Sequence, residues 1–332
     1  MEIKTLLLNR RVVHQCITME ETMGVVEDAF AELQRGTAKV PQREQILLPE
    51  QGGDCFFMPA YLQKAGGFGI KISPYFEGNP QAYDLSPVID LILLLDHQTG
   101  FPLAIIDAQA VTVARTGAVC GIAAKYLARE NASRVALIGM GTQAPAQLEA
   151  VCSVREVKSV KVTSKHPRQH TDFVREMSEK LGVPLEVEDS VEKTVRDADI
   201  VLLATSSVEP VLRGEWVTPG THISSILSAG SQAREVDTAL IEKSKVVCDS
   251  TQACLQEAGE LLIPIQEGAF TPQDVYGELG ELVTGAKQGR EEEEEITFFK
   301  TVGLAIQDIA TAKTIYQKAE QEGLGTYFNF MQ

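Results

Sequence analysis

The chain has 332 residues, more than one hydrophobic core usually serves, so two domains are expected. Lys and Arg number 30 against 46 Asp and Glu, and a net charge of −16 argues against a nucleic-acid partner, which needs a basic face. No apolar run reaches membrane-spanning length and the start lacks the apolar core of a signal peptide, so no membrane contact and a cytoplasmic location are expected. The six cysteines form no C-x-x-C pair and read as free thiols.

In chain order, Thr18-Met-Glu-Glu21 is a capping-box pattern opening a helix, with Met23, Val26, Phe30 and Leu33 on one face and Gly36 as the stop. Short apolar runs at Ile46 to Leu48, Cys55 to Met58, Gly69 to Ser73, Val88 to Leu95 and Leu103 to Ile106 read as strands. Asp96 to Gly100 is the turn between the last two. Ala108 to Leu127 reads as a long helix rich in small residues. Strands at Val135–Ile138, Val160–Thr163, Ile200–Ala204, His222–Ile226 and Lys245–Cys248 then alternate with helices marked by Phe173, Met177 and Leu181 and by Val191 to Ala198. Such alternation predicts a Rossmann-type doubly wound parallel sheet, an α/β fold with a second α+β domain. Glu291 to Glu295 reads as a solvated face or a helix start. A final helix carries Ile309, Ala312, Tyr316 and Ala319 and ends at Gly323. The expected division is 1–115 with 300–332, and 116–299.

Arg134-Val-Ala-Leu-Ile-Gly-Met-Gly-Thr-Gln-Ala144 is a strand, a glycine turn and a helix start in the pattern G-x-G-x-x-A. Gly139 permits the turn, Gly141 lets backbone amides approach a pyrophosphate, and Ala144 allows close helix–strand packing. The second strand ends in Ser164-Lys165-His166, with no acid for a ribose 2′-hydroxyl. A hydroxyl and a cation there favour NADP over NAD. The candidate cofactor residues are Arg115, Thr116, Gly139, Gly141, Thr142, Gln143, Ala144, Ser164, Lys165, His166, Thr205, Ser206 and Leu227. The histidines show no metal-ligand spacing, and no metal site is expected.

Three cations stand in apolar or tight settings: Arg43, Lys71 in Gly-Ile-Lys-Ile, and Arg115 in Ala-Arg-Thr-Gly-Ala. A cation inside an apolar element is costly unless paired. One reading pairs them with Glu44, Asp90 or Asp107. The other gathers them into a pocket for an anionic substrate.

Phe57-Met-Pro-Ala-Tyr61, Gly69-Ile-Lys-Ile72, Asp96 to Pro102, Ala114-Arg-Thr-Gly-Ala118, Ile138 to Ala144, Arg234-Glu-Val-Asp237 and Gly303 to Asp308 occur in this order. With them the chain resembles the ornithine cyclodeaminase/mu-crystallin family over nearly its whole length. That family holds cyclodeaminases, alanine dehydrogenases, reductases of cyclic imines such as pyrroline-2-carboxylate, and a ligand-binding mu-crystallin branch. The resemblance implies a homodimer formed through the N-terminal domain, which the C-terminal helix completes. It also implies a substrate carboxylate held by Arg43, Lys71 and Arg115, with Met58 lining the pocket. Two carboxylates carried by cyclodeaminases are missing: Phe56 stands at one position, and Ala229 or Ser231 at the other. This disfavours ornithine cyclisation. The expected activity is an NAD(P)-dependent oxidoreductase acting on the C–N bond of a small amino or imino acid. A cyclodeaminase-type lyase and a nucleotide-binding protein with little turnover are the alternatives.

Overall fold

The computed structural model describes residues 4–165, 170–226 and 230–329. The chain divides into two compact units, Met1–Arg115 with Leu304–Gln332, and Thr116–Gly303. The first contains β1 (Thr5–Leu8), α1 (Arg10–Gln15), α2 (Met19–Gln34), β2 (Ala38–Lys39), β3 (Glu44–Leu48), β4 (Gly53–Leu62), β5 (Gly67–Phe76), α3 (Asn79–Tyr83), β6 (Leu91–Leu95), β7 (Pro102–Asp107) and the opening of α4 (Gln109–Leu127). The second holds the rest of α4, then β8 (Arg134–Ile138), α5 (Ala144–Val154), β9 (Ser159–Thr163), α6 (His170–Leu181), β10 (Leu185–Val187), α7 (Val191–Val195), β11 (Ile200–Leu203) and β12 (His222–Ser225). It continues through α8 (Thr238–Glu242), β13 (Ser244–Cys248), α9 (Thr251–Glu257), α10 (Gly259–Gln266), β14 (Val275–Glu278), α11 (Leu279–Val283) and β15 (Ile296–Lys300). The first unit is completed by α12 (Ala305–Glu322) and β16 (Thr326–Phe328).

In the first unit the strand order is β16-β1-β7-β6-β5-β4-β2, with β3 also on β4. Only β1 and β7 run parallel. Along β4 and β5, Met58 faces Lys71 and Phe56 faces Ser73, and Lys71 also faces Ile92 of β6. Directly opposed residues share a face, so this register places all five on one side of the sheet. Helix α12 lies against β4, β5, β6 and α2. It brings buried Ile306, Ile309 and Ile315 to a core that includes Phe30, Leu62 and Ile92. Thr18 and Glu21 close the capping box of α2, worth about 1 kcal/mol.

The second unit is an eight-stranded, wholly parallel sheet in the order β10-β9-β8-β11-β12-β15-β13-β14. Central strands β11 and β12 are buried along their whole length, as strands covered on both faces must be. Separate apolar clusters cover the two faces. Val201, Leu203 and Phe298 belong to one; Leu137, Leu148 and Val162 belong to the other.

Several expectations need correction. The glutamate run is an exposed turn, not a helix start, because it feeds directly into β15; Lys245 binds Glu291 at 2.7 Å and Glu295 at 2.6 Å. The apolar run Val88 to Leu95 is strand only from Leu91, and Val88 forms an isolated bridge to Tyr75. The helix expected over Val191 to Ala198 stops at Val195, where Arg196 leaves helical geometry and Asp197 takes φ +62°.

Candidate active site

The candidate nucleotide site is built at the carboxyl ends of the parallel strands. β8 runs into Gly139, whose φ is +98° and whose N–H donates to Thr163 O at 2.8 Å. A Cβ on Gly139 would stand 2.3 Å from Ala204 O, so only glycine fits. Gly141 is different: a Cβ there would meet nothing within 4 Å. The fold itself does not require that glycine, and the open space is where a pyrophosphate approaches the backbone in a dinucleotide domain. Ala144, fully buried, is the first residue of α5.

A pocket of about 480 Å³ adjoins this turn, and Gly139, Gly141, Ser164, Lys165, Thr205 and Ser206 line it. Thr116, Thr142, Gln143 and Ala144 do not. Asp189 and Ser190, which sequence reasoning missed, also line it; they follow the short strand β10 and carry no local signal. Asp189 is bound to Lys193 at 2.9 Å, which balances its charge. The open space at Gly141 and the hydroxyl and ammonium donors of Ser164, Thr205, Ser206 and Lys165 suit the phosphate and ribose groups of a nucleotide. His166, Leu227 and Ala229 lie outside the described residues. His222 is buried between Thr297 and Ser224 at 2.9 and 3.0 Å, and burial, then Arg290 and Arg155, push its pKa down to about 3. It is a neutral core residue.

In the first unit, Lys71 and Arg115 converge. Lys71 Nζ lies 3.2 Å from Asp308 Oδ1, and Arg115 Nε donates to the same oxygen at 3.0 Å. Arg115 Nη1 donates to Gln307 Oε1 at 2.9 Å. Lys71 also reaches Thr112 Oγ1 at 3.4 Å, and Thr112 donates to Asp90 Oδ2 at 2.8 Å. Ser73 Oγ donates to the other Asp90 oxygen at 2.5 Å. All four charged groups are buried. Neither Glu44 nor Asp107 is the counter-ion: the partner is Asp308, on a helix more than 190 residues away in sequence from Arg115. Asp107 instead binds exposed Arg10.

Burial pulls the Lys71 ammonium below its ordinary value; the charge of Asp308 opposes this, and the charge of Arg115 adds to it. Arg43 stacks on Phe56. Its guanidinium lies 4.8 Å over the Phe56 ring, on the face that carries Met58 and Lys71. Lys71 and Arg115 stand against Asp90 and Asp308, two cations and two carboxylates. Among the described residues Arg115 Nη2 has no hydrogen-bond partner. Asp308 Oδ2 is buried without one as well.

A family profile described as ornithine cyclodeaminase/mu-crystallin family matches residues 3–323. An alanine dehydrogenase from Archaeoglobus fulgidus is 38% identical over 330 residues, covering 99% of this chain and 100% of that protein. A solved structure of Thermococcus litoralis Δ1-pyrroline-2-carboxylate reductase with NADH and L-proline superposes with a TM-score of 0.94 at 41% identity, covering 97% of this chain and 99% of that one. The structure of an archaeal alanine dehydrogenase dimer with bound NAD gives a TM-score of 0.93 at 38% identity, covering 99% and 100%.

Proposed function

The chain belongs to the ornithine cyclodeaminase/mu-crystallin family, and we propose that it is an NAD(P)-dependent oxidoreductase acting on the C–N bond of a small amino or imino acid. Reduction of a cyclic ketimine acid of the pyrroline-2-carboxylate type is its leading reaction. The observation that carries this reading is the sharing of Asp308 by Lys71 and Arg115, with Arg115 Nη2 still available.

Gly141, Ser164, Lys165, Thr205 and Ser206 at the pocket beside the glycine turn would hold a reduced nicotinamide cofactor, which would supply the hydride. Arg115 holds the substrate carboxylate through its remaining N–H groups, and Arg43 adds charge to the same face. Met58, buried opposite Lys71, gives the apolar wall. Lys71 holds a proton at Nζ that burial has loosened, so it can pass to substrate nitrogen. An imine that arrives protonated needs no further acid, which suits a site that lacks the two cyclodeaminase carboxylates. The alanine dehydrogenase reaction is the second reading, favoured by the whole-length likeness to the Archaeoglobus enzyme. It requires proton transfers to oxygen as well as nitrogen, and Lys71 would have to serve both.

For the cofactor, Lys165 is the uncompensated charge at the pocket, because Asp189 is neutralised by Lys193. This favours NADP(H), whereas the two superposed structures hold NAD(H). We further propose a homodimer formed through the first unit. Its exposed Ile46, Leu47, Tyr75, Tyr83 and Leu85 and the dimeric archaeal relative support it. All six cysteines are free, which supports a cytoplasmic location. No helix among the described residues is long and apolar enough to cross a membrane.

The test is oxidation of NADH and NADPH with pyrroline-2-carboxylate, with other cyclic imino acids, and with pyruvate plus ammonia. Ornithine is assayed separately for proline. The cyclic imine should turn over fastest. Nucleotide binding with no turnover on any imino or 2-oxo acid would make the chain a binding protein, and rapid proline formation would make it a cyclodeaminase.

A further inference from the structure

The second unit holds a buried charged cluster that the proposed reaction does not use. Glu235, from the Arg234-Glu-Val-Asp237 motif, is fully buried, as are Lys300 and Ser225, and Glu260 is 1% exposed. Glu235 Oε1 accepts from both Thr205 N at 3.0 Å and Thr205 Oγ1 at 2.7 Å. Its backbone carbonyl accepts from Val211 N at 2.8 Å. Thr205 and Val211 bracket the loop after β11 that forms one wall of the nucleotide pocket. One residue therefore ties both ends of that wall.

The far side of Glu235 fixes its proton. Ser225 Oγ lies 3.0 Å from Glu235 Oε2 and 3.3 Å from Glu260 Oε1, and it accepts from Lys300 Nζ at 3.1 Å. Glu260 Oε2 forms an ion pair with Lys300 at 2.9 Å. A hydroxyl has one proton and cannot donate to both acids. A proton on Glu235 Oε2 resolves this: Glu235 donates to Ser225, and Ser225 donates to Glu260. Lys300 and Glu260 then balance, and no net charge is buried. Burial accordingly raises the Glu235 carboxyl above its ordinary value; Lys300 opposes this and Glu260 adds to it.

We infer that Glu235 is a positioning residue for the nucleotide: acting through Thr205 as a neutral acid, it holds the loop after β11 in the shape that receives the cofactor. This rests on the reading that the pocket binds NAD(P)H. A Glu235→Gln variant keeps the carbonyl that Thr205 uses and replaces the acid proton with an amide one. Glu235→Ala removes the acceptor, and Glu235→Asp withdraws it by one methylene.

The experiment is fluorescence titration of NADH and NADPH, with thermal unfolding of the same full-length proteins. Glu235→Gln should bind within about twofold of the parent chain and unfold at the same temperature. Glu235→Ala and Glu235→Asp should bind about tenfold more weakly, with substrate KM at saturating cofactor unchanged. Binding by Glu235→Gln as weak as by Glu235→Ala overturns the neutral acid. Parental affinity in folded Glu235→Asp overturns the positioning role. If the parent chain binds neither nucleotide, the oxidoreductase reading fails, while unfolding still judges the cluster: a Glu235→Gln protein as unstable as Glu235→Ala would refute its neutrality.

Discussion

The two units each bury a cluster of charged side chains, and the two differ in the group that is shared. In the first, two cations share one carboxylate, Lys71 and Arg115 on Asp308. In the second, two acids share one hydroxyl, Glu235 and Glu260 on Ser225, and Lys300 pairs with Glu260. Burial acts on both in the same way, favouring loss of charge: Lys71 is pushed down and Glu235 up. The difference lies in what remains. Around Lys300, the bridging Ser225 hydroxyl and Thr205 tie Glu235 to the chain's own loop. Around Asp308, donors of Arg115 are left over. A closed cluster holds a loop, whereas an open one receives a ligand.

The sharpest way to break this contrast is Lys71→Ala. Turnover should fall about 10²- to 10⁴-fold in steady-state assays, with the NADH Kd nearly unchanged. A parental rate would remove Lys71 from the chemistry. Its pH signature has a defined sign. Lys71 gives its proton only when charged, so reduction should slow as pH rises through a value below the ordinary 10.5. The oxidative direction should speed up over the same window. The unfolded chain binds this proton more tightly than the folded one. Between the lowered folded value and 10.5, rising pH therefore adds stability through this group.

Next in size is Lys300→Met, which leaves Glu260 without its counter-ion and should cost about 3–5 kcal/mol in denaturant unfolding. Lys71→Met should cost about half that or less, since Arg115 still covers Asp308. Equal losses would erase the distinction between a closed and an open cluster. Arg115→Lys keeps the charge but loses the fork, and should raise substrate KM about 10- to 100-fold. An unchanged KM would move the carboxylate site elsewhere. The smallest effect belongs to Lys165→Asp, which should shift the NADPH-to-NADH preference about tenfold toward NADH. An unaltered ratio would deny Lys165 a phosphate contact.

What was legible in the sequence followed from local rules. Val135 to Ile138 with Gly139, Gly141 and Ala144 specify strand, turn and helix within eleven residues, and the structure has all three. Thr18 and Glu21 announce a helix start through bonds they make to each other. Asp308 was within a motif read from the sequence, yet its role was not legible. Its partner Lys71 is 237 residues away, and only the packing of α12 on β5 brings them together. Strand β15 was missed although Ile296-Thr-Phe-Phe is a short β-branched and aromatic run, because the five glutamates before it dominate that stretch. Asp189 gave no signal, since what brings it to the pocket is the pairing of β10 with β9.

The place of α12 in the chain has a consequence for synthesis. The second unit is one continuous segment, whereas the first is split around it. On the ribosome Arg115 emerges 193 residues before Asp308, roughly 10–40 s at ordinary elongation rates. During that interval Lys71 and Arg115 have no Asp308 to meet, and β4, β5 and β6 lack the helix that will cover them. The nucleotide unit can fold as it appears. The substrate unit must wait, its apolar sheet face exposed, for the last tenth of the chain. Chaperone dependence of nascent chains should therefore concentrate in residues 1–115, and truncation ahead of α12 should leave a protein that still binds nucleotide.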